Sequence, residues 1–337
     1  MTDKYNKIFS KTEKNDIIYN PANVIHGAIH RNKLGIGVVS PIYKIFICQN
    51  INPKFLGERL HTDEFIAEIA KYIEGSVIKL RTLSPEQFLD MSIEVPSSRI
   101  EQEKIGSMFE NLDNLITLHQ RKLEKLMNVK KSMLEKMFPK QGSTVPEIRF
   151  NGFTQAWEHR KAKKLFISTA DKGYPGLPVL SATQDRGMIR RDQNSINISH
   201  DKNNENGYKR VLPGQFVIHL RSFQGGFAHS RIEGITSPAY TIFGFSEPKK
   251  HDSEYWKYVF TSKEFIRRLE TVTYGIRDGR SISYDEFLTL DFFFPSVEEQ
   301  EKISQYLDEL THLITLHQRK LEKLKNIKKS MLEKMFI

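Results

Sequence analysis

The chain has 337 residues, and its 51 Lys and Arg residues outnumber its 41 Asp and Glu residues, which gives a net charge of +10. This length suits two or three domains, and the basic excess favours a polyanionic partner without requiring one. No run of eighteen apolar residues is present, which excludes a membrane-spanning helix, and the single cysteine, Cys48, excludes an internal disulfide. The polar N-terminus lacks an apolar signal core and argues against secretion.

The first region, residues 1–95, contains short β-like runs broken by Gly, Pro and Asn, such as NDIIYN at 15–20 and IYKIFIC at 42–48. A helical pattern, FIAEIAKYIEG, lies between such runs at 65–75. Alternation of short strands and short helices of this kind is typical of an α+β domain.

A long amphipathic segment follows at 101–138 and returns without gaps at 299–336, with 28 of 38 positions identical. Leu, Lys, Glu and Met dominate both copies, and these residues favour helix. The pattern predicts spacer helices over 96–138 and 298–337. A helix of 38 residues is roughly 57 Å long and cannot bury an apolar stripe by itself. We therefore expect the two copies to pair as an intramolecular coiled coil; the alternative is that each packs separately on its own domain.

Apolar residues recur in steps of three and four along both spacer helices, which defines a seam with one stutter at Leu115–Ile116. The two seam histidines are interpreted as partly buried fillers of the stutter rather than metal ligands. The predicted seam positions are Leu112, Leu115, His119, Leu123, Leu126, Leu310, Leu313, His317, Leu321 and Leu324.

The third region, residues 139–297, also predicts an α+β domain and carries the largest basic excess, 23 basic against 18 acidic side chains over 139–298. A faint repeat links it to the first region. GVVSPIYKIF (37–46) matches GITSPAYTIF (234–243), and SPEQFLDMSIEVPS (84–97) matches SYDEFLTLDFFFPS (283–296). We call residues 1–95 module one and residues 139–297 module two. Residues 139–197 have no counterpart, so module one lacks about its N-terminal third.

This order of module, helix, module and near-identical helix resembles the specificity subunit of type I restriction–modification enzymes. Four phrases carry the resemblance further: VPEIRFNGFTQAWEHRKAKKL (145–165), LPVLSATQDRGMI (177–189), GIRDGRSISYDEFL (275–288) and PSVEEQEKI (295–303). The resemblance spans nearly the whole chain. It implies two target-recognition domains, each reading half of a bipartite site in double-stranded DNA, and two spacer helices forming an antiparallel coiled coil with pseudo-twofold symmetry.

The resemblance also implies the partners and their cofactors. Two methyltransferase subunits and the translocase-nuclease subunits would carry the chemistry with S-adenosylmethionine, ATP and Mg²⁺, in the cytoplasm. The sequence of this chain agrees, since it contains no GxxxxGK[ST] phosphate loop, no Asn/Asp-Pro-Pro-aromatic motif and no zinc-ligand spacing. We therefore predict a chain that is not an enzyme, holds no cofactor or metal, and does not enter a membrane.

Polar loops that contain Gly, Arg and Gln are the candidate DNA contacts, because arginine pairs well with guanine and glutamine with adenine in the major groove. The alternative for each loop is a solvated turn. The candidates in module two are Gln184, Arg186, Arg190, Arg191, Arg221, Ser222, Gln224, Arg277 and Arg280; those in module one are Lys79 and Arg81.

The sequence is also compatible with two other functions. The shortened module one could leave recognition of the first half-site defective, and the repeat alone would also suit a coiled-coil scaffold without DNA specificity.

Overall fold

A computed structural model describes residues 9–73, 82–140, 143–183, 186–193, 202–219, 226–272 and 283–336. The chain forms two compact units. Unit one comprises residues 1–124 and 315–337, and unit two comprises residues 125–314. Each module therefore lies within a single unit, whereas each long helix contributes residues to both.

Module one combines five short strands with three helices. The strands are β1 (Ser10–Thr12), β2 (Ile17–Tyr19), β3 (Ile29–Arg31), β4 (Gly37–Val39) and β5 (Lys44–Phe46), and a 3₁₀ turn spans Val24–His26. The helices are α1 (Pro53–Arg59), α2 (Asp63–Tyr72) and α3 (Pro85–Asp90). The first long helix, α4 (Arg99–Lys136), follows the module. All strand pairings are antiparallel: β1 pairs with β4, and β2 lies between β3 and β5. The core packs Ile17, Tyr19 and Ile29 of the sheet against Phe65 and Ile69 of α2.

Module two repeats this arrangement and adds strands in front of it. The added elements are β6 (Glu158–Lys161), α5 (Ala162–Leu165), β7 (Phe166–Thr169), β8 (Leu180–Thr183) and β9 (Gly187–Arg190). The repeated elements are β10 (Lys209–Val211), β11 (Phe216–Ile218), β12 (Phe227–His229), β13 (Gly234–Thr236), β14 (Thr241–Phe245), α6 (Ser253–Thr261), α7 (Lys263–Val272) and α8 (Tyr284–Leu288). Then come β15 (Asp291–Phe294) and the second long helix, α9 (Val297–Met335); 3₁₀ turns span Arg191–Gln193, Lys202–Gly207 and Pro248–Lys250.

The sheets of module two show the same pairing as those of module one. Strand β10 pairs with β13, and β11 lies between β12 and β14, while β7 extends this sheet beyond β14. Strand β8 pairs with β9, and β15 with β6. The core is strongly aromatic and is centred on Phe166, Phe243, Trp256 and Phe287.

The short helices begin where their sequences place capping residues. The side chain of Asn52 accepts hydrogen bonds from the first turn of α1, and Pro53 occupies the first helical position. Thr62 caps α2, and Ser84 forms a reciprocal capping box with Gln87 at the start of α3. These local signals explain why each helix starts within a chain otherwise rich in short strands.

The two long helices run antiparallel within unit one. His119 of α4 meets His317 of α9, with 2.7 Å between their Nδ1 atoms, and Asp113, further back on α4, meets Lys328, further along α9, at 2.6 Å. Phe336, just after α9, then packs against Phe109. The predicted antiparallel pairing of the two copies therefore holds in unit one.

Unit two shows the reciprocal arrangement, in which the end of α4 packs where α9 begins. Met133 and Leu134 of α4 pack on the core that contains Ile303 and Leu307 of α9. The predicted α+β class, with two modules and two long antiparallel helices, is confirmed.

The seam departs from the predicted pattern at one position in each copy. Leu115 and Leu313 are 44% and 40% exposed, whereas the neighbouring residues Ile116 and Ile314 are half-buried. The stutter rotates the apolar face by one position here, so Ile116 and Ile314 take the inward places.

None of the helices described combines the length and apolar character needed to cross a lipid bilayer.

Candidate nucleic-acid interface

Most of the predicted DNA-contacting residues lie outside the described residues. These are Gln184, Arg221, Ser222, Gln224, Arg277, Arg280, Lys79 and Arg81. Arg186, Arg190 and Arg191 are described, and all three belong to the β8–β9 hairpin or to the turn after it.

The hairpin separates Arg186 from Arg190. Arg186 lies in the tip, where its backbone N–H donates to Thr183 Oγ1 at 3.1 Å, and Arg190 is the last residue of β9. Four residues of strand span roughly 13 Å, so the two guanidinium groups belong to opposite ends of the hairpin. Gly187 makes the sharp turn possible: its φ is +69°, and a Cβ there would lie 2.3 Å from the carbonyl oxygen of His229.

The distal end of the hairpin lies beside the β10–β13 pair. The backbone N–H of Arg191 donates to Val179 O at 2.8 Å, and that of Ile235 donates to Pro178 O at 2.9 Å. Arg190 is exposed and pairs with Asp192 at 3.0 Å, whereas Arg191 is half-buried, with its Nε 3.4 Å from Ser181 Oγ. Arg190 is therefore the more accessible of the two at this end.

A cluster of basic and aromatic residues lies next to the hairpin, and we call Lys172, Lys209, His219 and Tyr240 the lysine cluster. The backbones of Lys172 and Lys209 are bridged, and Lys209 Nζ donates to Tyr240 O at 2.7 Å. The rings of His219 and Tyr240 are 6.2 Å apart. Burial and the nearby Lys172 ammonium lower the pKa of Lys209. Lys209, whose proton affinity is lowered, and the adjacent Lys172 together form a site that an anion would stabilise.

The lysine cluster stands at the base of one predicted DNA-contacting loop. The N–H of His219 donates to Gly226 O at 3.0 Å. The predicted contacts Arg221, Ser222 and Gln224 lie between these two residues in the sequence. The structure thus links the base of this loop to Lys209 through Tyr240, whose ring lies beside that of His219 and whose carbonyl oxygen accepts from Lys209.

Arg210 contrasts with Lys209, because its charge is already compensated. It pairs with Glu233 at 2.6 Å and Asp171 at 3.5 Å, and its guanidinium lies 4.3 Å from the centre of the Tyr174 ring. The hydrogen bond to Glu233 raises its pKa. Arg210 therefore stabilises the strand pair rather than offering a free cation.

Sequence reasoning missed Lys172, Lys209 and Tyr240. The run YKR at 208–210 was the available signal, since a tyrosine next to basic residues is common in nucleic-acid interfaces. It could not show that Lys172 and Tyr240 join Lys209, because they lie in distant parts of the chain.

No equivalent cluster is found among the described residues of module one, 9–73 and 82–95. By the shared strand pairing, Lys209, His219 and Tyr240 correspond to Ser10, Asn20 and Tyr43, and Lys172 belongs to the segment without a counterpart. Only the tyrosine is retained.

A second set of polar contacts fastens each module to the long helices. In unit one, the N–H of Asn52 donates to Gln102 Oε1 at 2.8 Å, and Gln102 Nε2 donates to Pro96 O at 2.8 Å. In unit two, the N–H of Asp252 donates to Gln300 Oε1 at 3.0 Å, and Gln300 Nε2 donates to Pro295 O at 2.8 Å. Both glutamines are buried. The same buried contact therefore seats both modules.

Ion pairs add to these seats. Arg31, which is almost fully buried, pairs with Glu110 of α4 at 2.8 Å in unit one. In unit two, Asp308 of α9 accepts from Arg231 at 2.8 Å and Lys257 at 2.7 Å. Each module is thus held on a helix by packing, a buried amide and charge together.

Metal-binding groups of three or more His, Cys, Asp or Glu side chains are not found among the described residues.

Comparison with protein-family models and with curated protein sequences finds no match for this chain. Solved structures do match. The crystal structure of the type I restriction-modification system S subunit from M. genitalium superimposes with a TM-score of 0.56 at 12% identity, covering 98% of this chain and 84% of that chain. The HsdS subunit from Thermoanaerobacter tengcongensis matches with a TM-score of 0.49 at 15% identity, covering 96% of this chain and 81% of that chain. The chain shares the fold of the M. genitalium subunit.

Proposed function

We propose that this chain is the DNA-recognition and scaffold subunit of a type I restriction–modification complex. It would read a bipartite site in double-stranded DNA and position methyltransferase and translocase-nuclease subunits. The chain itself would be non-catalytic and hold no cofactor. S-adenosylmethionine, ATP and Mg²⁺ would act in the partner subunits.

The observation that carries this proposal is the repeated unit of a module seated on a long helix. Gln102 and Gln300 make the same pair of hydrogen bonds in the two units. The long helices are antiparallel in unit one, and in unit two the end of α4 packs where α9 begins. A chain built this way offers two similar modules, each seated on a long helix, which suits a DNA site made of two arms. The fold shared with a specificity subunit supports the same function.

The lysine cluster supports contact with DNA by module two. Phosphate groups supply most of the affinity of DNA-binding proteins, and lysine acts on them as a point charge. Lys172 and Lys209 are adjacent cations whose mutual repulsion a phosphate would relieve. Arg190 and the loop 220–225 would then supply base contacts beside this anchor.

A second candidate function is a subunit that reads only one arm of its site. It is favoured by the loss of the lysine cluster from module one, where Ser10 and Asn20 replace Lys209 and His219. A scaffold without any DNA specificity is disfavoured by the cluster in module two.

Charge variants of the full chain in complex with its methyltransferase test the proposal. Lys209→Ala should weaken DNA binding uniformly across sequences and reduce the slope of log affinity against log salt by about one unit. Lys249→Ala removes the same charge from an exposed turn and serves as the control. We expect it to leave both the affinity and the slope unchanged.

Methylation of genomic DNA by the same complexes then tests sequence recognition. Arg190→Ala should change or abolish the preferred bases in one arm of the site. If Lys209→Ala and Arg190→Ala both retain the affinity, salt slope and methylated sequence of the parent, module two does not contact DNA in this way.

A further inference from the structure

Module two shows what covers a surface that module one leaves exposed. The strands β1 to β5 of module one have counterparts in β10 to β14, with the same antiparallel pairings. Module two has in addition residues 158–190, which carry β6, β7, β8 and β9. We call this the covering segment.

The covering segment protects three surfaces of module two. Strand β7 pairs along the outer edge of β14, where Ser168 stands opposite Phe243. The β8–β9 hairpin lays Leu180 and Met188 on one face of the sheet, against Val217, Ala228 and Ile242. Strand β6 pairs with β15. As a result, Ile235 and Ile242 are fully buried.

The matching surfaces of module one are uncovered within its described residues, 9–73 and 82–95. Val38, the counterpart of Ile235, is 67% exposed, and Ile47, which follows the edge strand β5, is 78% exposed. Ile45, the counterpart of Ile242, is only half-buried, and Val95, the counterpart of the buried Phe294, is exposed. An open strand edge next to an exposed apolar face is a surface that another chain readily pairs with.

Gly37 gives independent support for a missing neighbour. Its counterpart, Gly234, must be glycine, because a Cβ there would lie 2.4 Å from Pro178 O and 2.6 Å from Leu180 Cγ of the covering segment. A Cβ on Gly37 would meet only Thr12 Cγ2 at 4.0 Å, and Gly37 does not have the left-handed φ that favours glycine. Module one thus has, at Gly37, room for another segment to approach the strand closely, as Pro178 and Leu180 approach Gly234 in module two.

We propose that module one binds a separate polypeptide whose sequence resembles the covering segment, by adding a strand to the edge of β5 and a β-hairpin to the sheet face. Strand addition supplies backbone hydrogen bonds, and pockets for alternate side chains supply specificity. The occupant should present apolar residues at the places of Leu180 and Met188, to meet Ile45 and Val38. The bound hairpin would also bring residues equivalent to Arg190 and Arg191, which module one lacks.

A second copy of this chain fits the surface less well. Pairing of β5 with the β5 of another copy would satisfy the strand edge, but it would bring no hairpin to Ile18, Ile45 and Val38.

Capture of a defined probe by the full chain tests this proposal without DNA or partner subunits, so its outcome is independent of the proposed function. The probe is residues 143–197 of this protein fused to a soluble carrier. We expect micromolar binding, measured by titration, and slower hydrogen exchange of the amides at 44–47 in the complex. A probe with Leu180→Asp should bind at least tenfold more weakly, since the hairpin would then place a carboxylate on the apolar face.

Variants of the full chain locate the binding surface. Val38→Lys and Ile47→Lys should each weaken capture at least tenfold, and both side chains are exposed, so the module should stay folded. Ile100→Lys changes an equally exposed residue on α4 (70% exposed) and should capture as the parent does. Absence of capture by the parent, or equal capture by Val38→Lys, would overturn the proposal. Concentration-dependent dimerisation of the parent that Val38→Lys abolishes would instead identify a second copy as the occupant.

Discussion

Gly106 allows α4 to approach α1 closely, and this contact makes a demanding test of how module one is seated. A Cβ at position 106 would lie 2.6 Å from both Lys54 Cβ and the backbone nitrogen of Phe55, whereas ordinary contacts begin near 3.4 Å. In Gly106→Ala, α1 must therefore withdraw by about 0.8 Å. The atoms in the way belong largely to backbone and cannot rotate aside.

The energetic cost of Gly106→Ala follows from this displacement. A gap of about 0.5–1 Å forfeits a quarter to a half of each van der Waals contact, and Phe55 and Phe109 are packed at this junction. Overpacking of this kind costs about 3 kcal/mol, while replacing glycine within a helix returns about 1 kcal/mol. We expect a net loss of about 2 kcal/mol, which corresponds to a roughly thirtyfold increase in opening of α1.

Hydrogen exchange followed by mass spectrometry can measure this opening directly. The backbone amides of residues 54–59 in α1 should exchange about thirtyfold faster in Gly106→Ala. Fluorescence offers an internal control, because both tryptophans, Trp157 and Trp256, belong to unit two and should report unchanged unfolding of that unit.

The counterpart of Gly106 is Ser304, which already carries a Cβ and donates a hydrogen bond to Asp252. Ser304→Ala should cost no more than about 1–2 kcal/mol through loss of that hydrogen bond and should leave α6 in place. Exchange of α1 in Gly106→Ala at the rate of the parent protein would refute the close approach of the two helices.

Two further predictions concern a packing contact and a buried histidine. Phe336→Ala should destabilise unit one by about 3–5 kcal/mol in a urea titration followed by circular dichroism, because the Phe336 ring packs 5.3 Å from that of Phe55 and 5.8 Å from that of Phe109. Met335→Ala, at a 38% exposed position, should change stability by less than about 1 kcal/mol in the same titration. Burial lowers the pKa of His229 to about 4 in the folded protein, whereas the unfolded value is near 6.5. Because the unfolded state then binds a proton more readily, unit two should lose up to about 3 kcal/mol of stability as the pH falls from about 6.5 to about 4. Tryptophan-monitored urea unfolding between pH 4 and 7.5 should show a smaller loss for His229→Asn, and identical pH profiles for the variant and the parent would contradict this assignment.

The sequence by itself determined the long helices and their pairing. Residues 101–138 and 299–336 consist of strong helix formers with a continuous apolar stripe. These local properties favour a helix wherever a partner surface buries the stripe. Near-identity of the two copies also made one the natural partner of the other. The faint repeats around Ser40–Pro41 and Ser237–Pro238 were enough to relate the two modules, and the strand pairings agree with them.

The tertiary structure decided which side chains share a surface. Lys172, Lys209 and Tyr240 meet only because strands distant in sequence lie side by side, and no local pattern encodes that proximity. Ile116, and not Leu115, faces inward on α4. Which of the two does so depends on how far the helix rotates at the stutter, and the apolar pattern does not specify that rotation. Exposure of Val38 and burial of Ile235 illustrate the same limit, since the two residues occupy equivalent strands and differ only in whether another segment covers them. Burial is a property of the neighbours that the fold supplies, so only the folded chain reveals which apolar residues still lack them.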